Sequence, residues 1–461
     1  MQLKPNIPII SILAIFIISN IIFLSSYQNV WWDSSVYIGM GKYIYSSGNS
    51  GLWESSRPLI MPLILGLGWA LGLDTILFGR IVSILFSVAV IFMIYIIGLK
   101  VFSKKTALLA SFFTAFSFNF LFFSPNILTE IPSTFFVLIA LYFFLENRFF
   151  LMGLFSGLAI MARFFQAFTL IGLALVFFFY LYRKPNFWRK VIYVFLGALI
   201  IILPYILLNH LIYNDILLPF KVQTHLTKTT GWTNYQEYGF YFIGLFKDNF
   251  LISLLLTLPF FFMKSHKFTA LLTISSIYLL IFTLVKHKEM RYMLQILPFL
   301  SLLLSHTILE LYKKINYEKI AKIVFFAALF VWISITINSL QNVNSYKDEG
   351  ALYFQEYLKN TQGNIWVTNP LYALHSDSKI SGLLYFYSSN NLINFIDKNK
   401  DNVEIVLFNS CDIPCNPTGI DPSCDESRNL LNDVLSKFKK IYEKELYGCI
   451  YIIYNNPIIL T

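Results

Sequence analysis

Pro58-Leu-Ile-Met-Pro-Leu-Ile-Leu-Gly-Leu-Gly-Trp-Ala-Leu-Gly-Leu73 is the segment on which the topology turns. All sixteen residues are apolar, but two prolines and three glycines interrupt them, and a membrane span needs about twenty residues. The segment reads as interfacial or re-entrant. Outward from it, apolar runs place spans at about 7 to 24, 75 to 98, 106 to 124, 131 to 146, 149 to 166, 167 to 182, 191 to 212, 249 to 263, 268 to 285, 291 to 311 and 318 to 338. The turns then placed inside carry Lys100, Lys104 and Lys105; Arg148; Arg183, Lys184, Arg189 and Lys190; Lys264 and Lys267; and Lys313, Lys314, Lys319 and Lys322. Each is basic, as cytoplasmic loops are. A full span at 58–73 would move all of them outside, so the charge bias rejects it.

Composition agrees. Of 461 residues, 57% are hydrophobic and only 13% charged, against about 25% charged in soluble domains. The net charge of +10 lies largely in residues flanking spans, which makes it a topology signal and argues against nucleic-acid binding. The first span lacks a small-residue cleavage site and reads as an anchor. Polytopic, helical and embedded in the plasma membrane is therefore the expected class, with about eleven spans plus interfacial helices.

The same topology puts outside residues 33–57, the turn at 124–130, the loop at 213–248, residues 286–292 and everything after about 339. Trp31-Trp-Asp-Ser-Ser-Val-Tyr37 sets Asp33 beside two tryptophans suited to the headgroup region. Val36, Tyr37, Met40, Tyr43 and Ile44 recur at helical spacing, which predicts an amphipathic helix lying on the membrane. Asp33 near its start is either its N-cap or a carboxylate with a chemical task. Glu130, in Leu128-Thr-Glu-Ile-Pro132, opens a span where capping would also explain it. Lys286-His-Lys-Glu-Met-Arg-Tyr292 packs five ionisable residues between apolar runs. If helical, it brings His287 and Arg291 to one face, with Lys288 near Arg291, a grouping suited to a phosphate. Arg163, toward the outer end of a span, snorkels or neutralises a buried acid or phosphate.

After about Ser339 the composition turns polar. Apolar runs at 365–368, 403–408 and 449–454 alternate with helical patterns near 347–359 and 427–445, which predicts an α/β domain over 339–461 beyond a membrane domain over 1–338. Cys411, Cys415, Cys424 and Cys449 all lie there, a spacing that fits one or two disulfides on an oxidising face, with a zinc site as the competing reading. The chain has no P-loop, no His-Glu-x-x-His and no Gly-x-Ser-x-Gly.

The order of a span, an outer loop with Trp32-Asp33 and a nearby tyrosine such as Tyr37, Arg57-Pro-Leu-Ile-Met-Pro62, Phe78-Gly-Arg80, a Lys-Lys turn, Thr129-Glu-Ile-Pro132 and Gly153-Leu-Phe-Ser-Gly-Leu-Ala-Ile-Met-Ala-Arg163 resembles the GT-C superfamily of polyprenyl-phosphate-sugar-dependent glycosyltransferases. The likeness covers roughly 7 to 310 and is nearest the protein O-mannosyltransferase and aminoarabinose-transferase branch. His287-Lys-Glu-Met-Arg-Tyr292 is similar to the His-Lys-Glu-x-Arg-Phe signature of lipid-linked mannosyltransferases, with Tyr292 for Phe. The resemblance implies Asp33 as catalytic base and Glu130 as second acid; where some relatives have paired first-loop acids, Ser34 follows Asp33. Arg291, Lys288, His287, Arg57 and Arg163 are the expected phosphate ligands, with Glu289, Tyr37 and Tyr292 as further site residues. The expected partners are a dolichyl- or polyprenyl-phosphate sugar, a hexose or pentose and first of all mannose, and an acceptor hydroxyl on a glycan, lipid or protein. No cofactor is required; Asp33 and Glu130 would be the ligands of a divalent metal. A lipid or lipid-linked-sugar flippase is the alternative, which requires ionisable residues near mid-span and paired broken helices.

Overall fold

The computed structural model describes residues 7–27, 29–229, 236–253, 266–314, 318–343, 354, 364–384, 399, 402–412, 424–446 and 448–456. Its helices are α1 (Ile7–Ser26), α2 (Trp32–Tyr45), α3 (Ile60–Ala70), α4 (Thr75–Val101), α5 (Lys104–Phe116), α6 (Phe118–Phe123), α7 (Glu130–Leu145), α8 (Phe149–Ala162), α9 (Gln166–Leu181), α10 (Phe187–Tyr213), α11 (Leu218–Thr229), α12 (Phe240–Asp248), α13 (His266–Leu284), α14 (Leu297–Lys314), α15 (Glu318–Gln341), α16 (Tyr372–His375) and α17 (Cys424–Ser436). Five strands follow the membrane part: β1 (Ile365–Val367), β2 (Ile380–Leu383), β3 (Ile405–Asn409), β4 (Lys439–Leu446) and β5 (Cys449–Asn455).

Among the described residues four helices are long and apolar enough to cross a bilayer: α1, α4, α10 and α15. Large apolar side chains point outward on them, with Leu211 81% and Phe330 72% exposed, which suits contact with acyl chains and not with water. Among the described residues the remaining apolar runs form shorter helices, so the expectation of about eleven spans holds only as an approximate count. The segment at 58–73 folds as the eleven-residue α3, too short to cross. Most of the span expected at 249–263 lies outside the described residues; its start, Phe250–Ser253, is a 3-10 helix.

Two spans differ from expectation in instructive ways. The run at 106–124 breaks at Ser117, whose backbone is extended. The buried Asp248 carboxylate accepts from the Ser117 hydroxyl (2.7 Å) and the Asn119 amide (3.0 Å), so it satisfies the donors that a restarted helix leaves open. The run at 291–311 begins as a 3-10 helix, Met290–Gln295, before α14.

The chain divides into two compact units: Met1–Gln28, Arg80–Leu207 and Gln236–Ser345 form one; Asn29–Gly79, Leu208–Tyr235 and Tyr346–Thr461 the other. This differs from a sequential division near 338. In the first unit, small residues permit close helix packing: a Cβ on Gly153 of α8 would collide with the Val194 carbonyl of α10, and one on Gly197 of α10 with the Phe150 carbonyl.

In the second unit the strand order is β2-β1-β3-β5-β4, with β2, β1 and β3 parallel and β5 antiparallel to both β3 and β4. Side chains alternate across the sheet. Ile365, Val367, Ile405, Leu407 and Ile453 pack on one face against Val36 and Met40 of α2, and against Leu52. Trp366 and Val406 pack on the other face against Leu431, Val434 and Leu435 of α17. The apolar stripe of α2 therefore covers a sheet; it does not lie on lipid. Lys42 ties the same helix down, donating to the Ser376 carbonyl (3.0 Å) and pairing with Asp377 (3.0 Å). Gly51 bridges Lys379, and the Ile380 amide donates to the Gly51 carbonyl (2.8 Å). The other side of α2 meets α3 backbone to backbone, where a Cβ on Gly41 would sit 2.6 Å from the Gly66 nitrogen.

Strands β1, β3 and β5 fall on the three expected apolar runs. The helical pattern expected over 427–445 ends at Ser436; 439–446 is instead a strand paired with β5. Its alternating Lys and Glu suit a solvent-exposed sheet edge. The helix expected near 347–359 lies outside the described residues, apart from Phe354. Cys411 and Cys449 form a disulfide across the β3–β5 end of the sheet; Cys415 and the Cys424 side chain lie outside the described residues.

Candidate active site

In the second unit, the site builds on α2 and the loop after it. Trp31, not Asp33, is the N-cap of α2, and Asp33 sits in the first turn, where a carboxylate is favoured by the helix dipole. This corrects the N-cap reading. Asp33 Oδ1 lies 2.8 Å from Arg57 Nη2, and Arg57 Nε lies 3.1 Å from Glu54 Oε1. Ser56 donates to the same Glu54 oxygen (2.6 Å). The Arg57 guanidinium stands 5.7 Å over the Tyr37 ring. Arg57 thus bridges two carboxylates, Asp33 and Glu54. Glu54 is 4% exposed, and its Oε2 has no hydrogen-bond partner among the described residues. Glu54 is absent from the residues expected at the site; its placement three residues before Arg57 is the signal for it in the sequence.

In the first unit, Glu130 opens α7 and is fully buried. Its Oε1 lies 3.0 Å from Arg163 Nη1 and 3.5 Å from Arg291 Nε. Arg163, the residue that ends α8, also donates to the Thr129 hydroxyl (3.0 Å), and its guanidinium lies 5.1 Å over the Tyr292 ring. Glu130 Oε2 has no hydrogen-bond partner among the described residues. Gln166, at the start of α9, donates to the Ser133 and Thr134 hydroxyls of α7 at 3.0 and 3.2 Å. Arg163 is held by a carboxylate, a hydroxyl and a ring, which is more than snorkelling requires.

The 286–292 motif is not the helix that would set His287 and Arg291 on one face. Glu289 is extended (φ −138°, ψ 139°) and caps the 3-10 helix that follows. Its carboxylate becomes the hub: Arg291 Nε lies 2.6 Å from Oε2, while Oε1 meets His287 Nε2 (2.9 Å), Arg291 Nη2 (2.9 Å) and the Tyr292 hydroxyl (3.1 Å). The Tyr292 hydroxyl also contacts His287 Nε2 at 2.9 Å, and the Tyr278 hydroxyl donates to the Tyr292 carbonyl (2.9 Å). Arg291, Arg163, His287, Glu289, Tyr292 and Glu130 are therefore one network. Lys288 turns elsewhere. Its ammonium donates to the Gln236 carbonyl (2.9 Å) beside the Tyr238 ring, and desolvation lowers its pKa.

Among the described residues there is no group of three or more His, Cys, Asp and Glu arranged to hold a metal. Asp33 and Glu130 each face arginine at 2.8 to 3.0 Å, so a divalent cation at either would compete with a guanidinium.

Residues 56–208 match the family model described as dolichyl-phosphate-mannose-protein mannosyltransferase. A sequence comparison with curated proteins gives no match. Among solved structures the chain is similar to ArnT from Cupriavidus metallidurans bound to undecaprenyl phosphate, with 12% identity, TM-score 0.65, and coverage of 96% of this chain and 97% of that one. It is similar to the archaeal oligosaccharyltransferase AglB from Archaeoglobus fulgidus, in complex with an inhibitory peptide and a dolichol-phosphate, at 12% identity, TM-score 0.64, and 96% and 74% coverage. The mycobacterial arabinofuranosyltransferase AftD aligns at 13% identity, TM-score 0.54, over 96% of this chain and 41% of that one. Residues 56–208 match the family model, the fold is shared with these solved glycosyltransferases over nearly the whole chain, and the order of motifs along the sequence is similar to that of the GT-C superfamily.

Proposed function

We propose that the protein transfers a sugar, mannose or another hexose, from a polyprenyl- or dolichyl-phosphate donor to an acceptor hydroxyl on the extracytoplasmic side, with inversion. The family description and the lipid phosphates bound by ArnT and AglB support the donor class. The basic loops support the sidedness. The observation that carries the reading is the buried network: Glu130 at 0%, Arg163 at 7% and Arg291 at 9% exposure, a set of charges whose burial in a membrane protein is costly without a task.

In this reading Asp33 takes the proton of the acceptor hydroxyl. The oxygen attacks the anomeric carbon as the bond to the phosphate oxygen breaks, and the lipid phosphate leaves with the electron pair. Arg291 and Arg163 stabilise the charge on that phosphate, and His287, which meets the Glu289 carboxylate that also holds Arg291, belongs to the same network. Glu130, expected as the second acid, acts by positioning the two arginines, since it is fully buried beneath them. Arg57 orients Asp33 through the 2.8 Å pair. The flippase alternative needs ionisable groups at mid-span, whereas Glu130 begins a helix and Arg163 ends one.

The test is transfer from labelled lipid-phosphate mannose in nanodiscs. Asp33→Asn should cost at least about 10²-fold in turnover, the scale of a lost general base. Turnover near wild type removes Asp33 from its role.

A further inference from the structure

A cavity of about 440 Å³ lies wholly within the second unit, at the far end of α2 from Asp33. Tyr43 and Trp53 line it together with Asn364, Lys379, Ser381 and Asn402. The two aromatic rings sit 5.5 Å apart. Trp53 Nε1 donates to the Tyr213 hydroxyl (2.6 Å), which fixes the plane of the indole. Asn364 is fixed as well, its amide donating to the Asn402 carbonyl at 3.0 Å.

Three polar groups in this wall are unspent. The Tyr43 hydroxyl, the Asn402 side-chain amide and the Lys379 ammonium have no hydrogen bond or ion pair among the described residues. Rigid aromatic faces beside unspent amide, hydroxyl and ammonium groups match a sugar ring, which offers an apolar C–H face for stacking and a rim of hydroxyls for hydrogen bonds. A lipid tail would leave the polar wall unsatisfied, and a bare phosphate would not use the aromatic one.

Position adds a second argument. Tyr43 follows Asp33 by ten residues on one helix, about 15 Å at 1.5 Å per residue. That separation suits an acceptor gripped well away from the hydroxyl it presents.

We infer that this cavity is an acceptor subsite for a saccharide: a short glycan is held by Tyr43, Trp53, Asn402 and Lys379 while its terminal hydroxyl lies at Asp33. The inference rests on the transferase reading and narrows its acceptor from glycan, lipid or protein to a glycan or a glycan-bearing molecule.

The experiment uses the full chain in nanodiscs, without donor. Saturation-transfer NMR measures binding of two neutral trisaccharides of different ring stereochemistry, mannotriose and cellotriose, up to about 10 mM, the range of weak sites. At least one should bind. Lys379→Ala combined with Asn402→Ala should weaken it about tenfold, the effect of losing two hydrogen bonds. Both side chains are exposed, so the fold should persist. Undecaprenyl phosphate binding by the same double variant should stay at the wild-type level. Absence of binding by both trisaccharides, or equal binding by the variant, overturns the subsite. If lipid phosphate still binds in that case, the donor reading stands; failure of lipid-phosphate binding in the wild type would strike that reading instead.

Discussion

Glu130→Gln separates charge from shape in the buried network. The amide occupies the same volume but removes one of the two negative charges that balance Arg163 and Arg291. Arg163 and Arg291 against Glu130 and Glu289 sum to zero in formal charge, and the variant raises that sum to +1. Two effects of opposite sign follow. Removing one partner of a buried pair costs about 3 to 5 kcal/mol, and the lower end applies because Arg291 keeps Glu289 at 2.6 Å. A phosphate gripped by both guanidinium groups would lie about 6 Å from the lost carboxylate; at an effective dielectric of about 20 the repulsion removed is about 3 kcal/mol, near 100-fold in affinity. The variant should therefore melt at a lower temperature yet bind undecaprenyl phosphate more tightly, by about 10- to 100-fold. Calorimetric titration and a thermal melt on the same preparation read both effects. A lower melting temperature with unchanged or weaker lipid-phosphate affinity would show that the arginines serve structure alone, and would refute the phosphate assignment.

Gly41→Ala should destabilise by about 2 kcal/mol although alanine is the better helix former, because the added Cβ would sit 2.6 Å from the Gly66 nitrogen; an unfolding midpoint equal to wild type would contradict that packing. Replacing Cys411 and Cys449 with serine opens a crosslink between residues 38 apart, and should cost about 4 kcal/mol in denaturant unfolding of the second unit; no change would mean the bond does not constrain the unfolded chain. Lys42 has its pKa lowered from 10.5, chiefly by burial and against the pull of Asp377. Between the lowered value and 10.5 the unfolded chain holds more protons than the folded one, so stability should rise with pH across that window. Lys42→Met should abolish the alkaline rise in melting temperature, and persistence of the rise would assign it to another group.

Much of the architecture was legible because it follows from one-dimensional quantities. Apolar run length marked the helices, and the interrupted run at 58–73 was correctly read as too short to cross. The disulfide-bearing region was visible in its cysteines, though not the pairing. The site was less legible where its geometry depends on backbone conformation. His287, Lys288 and Arg291 were assigned by helical spacing, but Glu289 is extended, so its carboxylate gathers His287, Arg291 and Tyr292 while Lys288 points to the Gln236 carbonyl. Likewise 439–446 carries charges at spacings that a helix and an edge strand share, and pairing with β5 decides between them.

The reading of α2 failed for a different reason, one that bears on function. Periodicity shows that a helix has an apolar face but not what covers it, and Val36 and Met40 would look the same against lipid or against a sheet. The covering surface is β1, β3 and β5, more than 300 residues away in sequence. A helix adrift at an interface would leave Asp33 free to tilt with the bilayer. Packed between the sheet and α3, and anchored by Lys42 to the loop before β2, it holds Asp33 and its Arg57 pair in one orientation. The C-terminal sheet is in this sense part of what positions the proposed base. Truncating the chain near residue 338 should therefore expose the α2 stripe and abolish transfer, and retained activity in such a truncation would show that the membrane part can order Asp33 unaided.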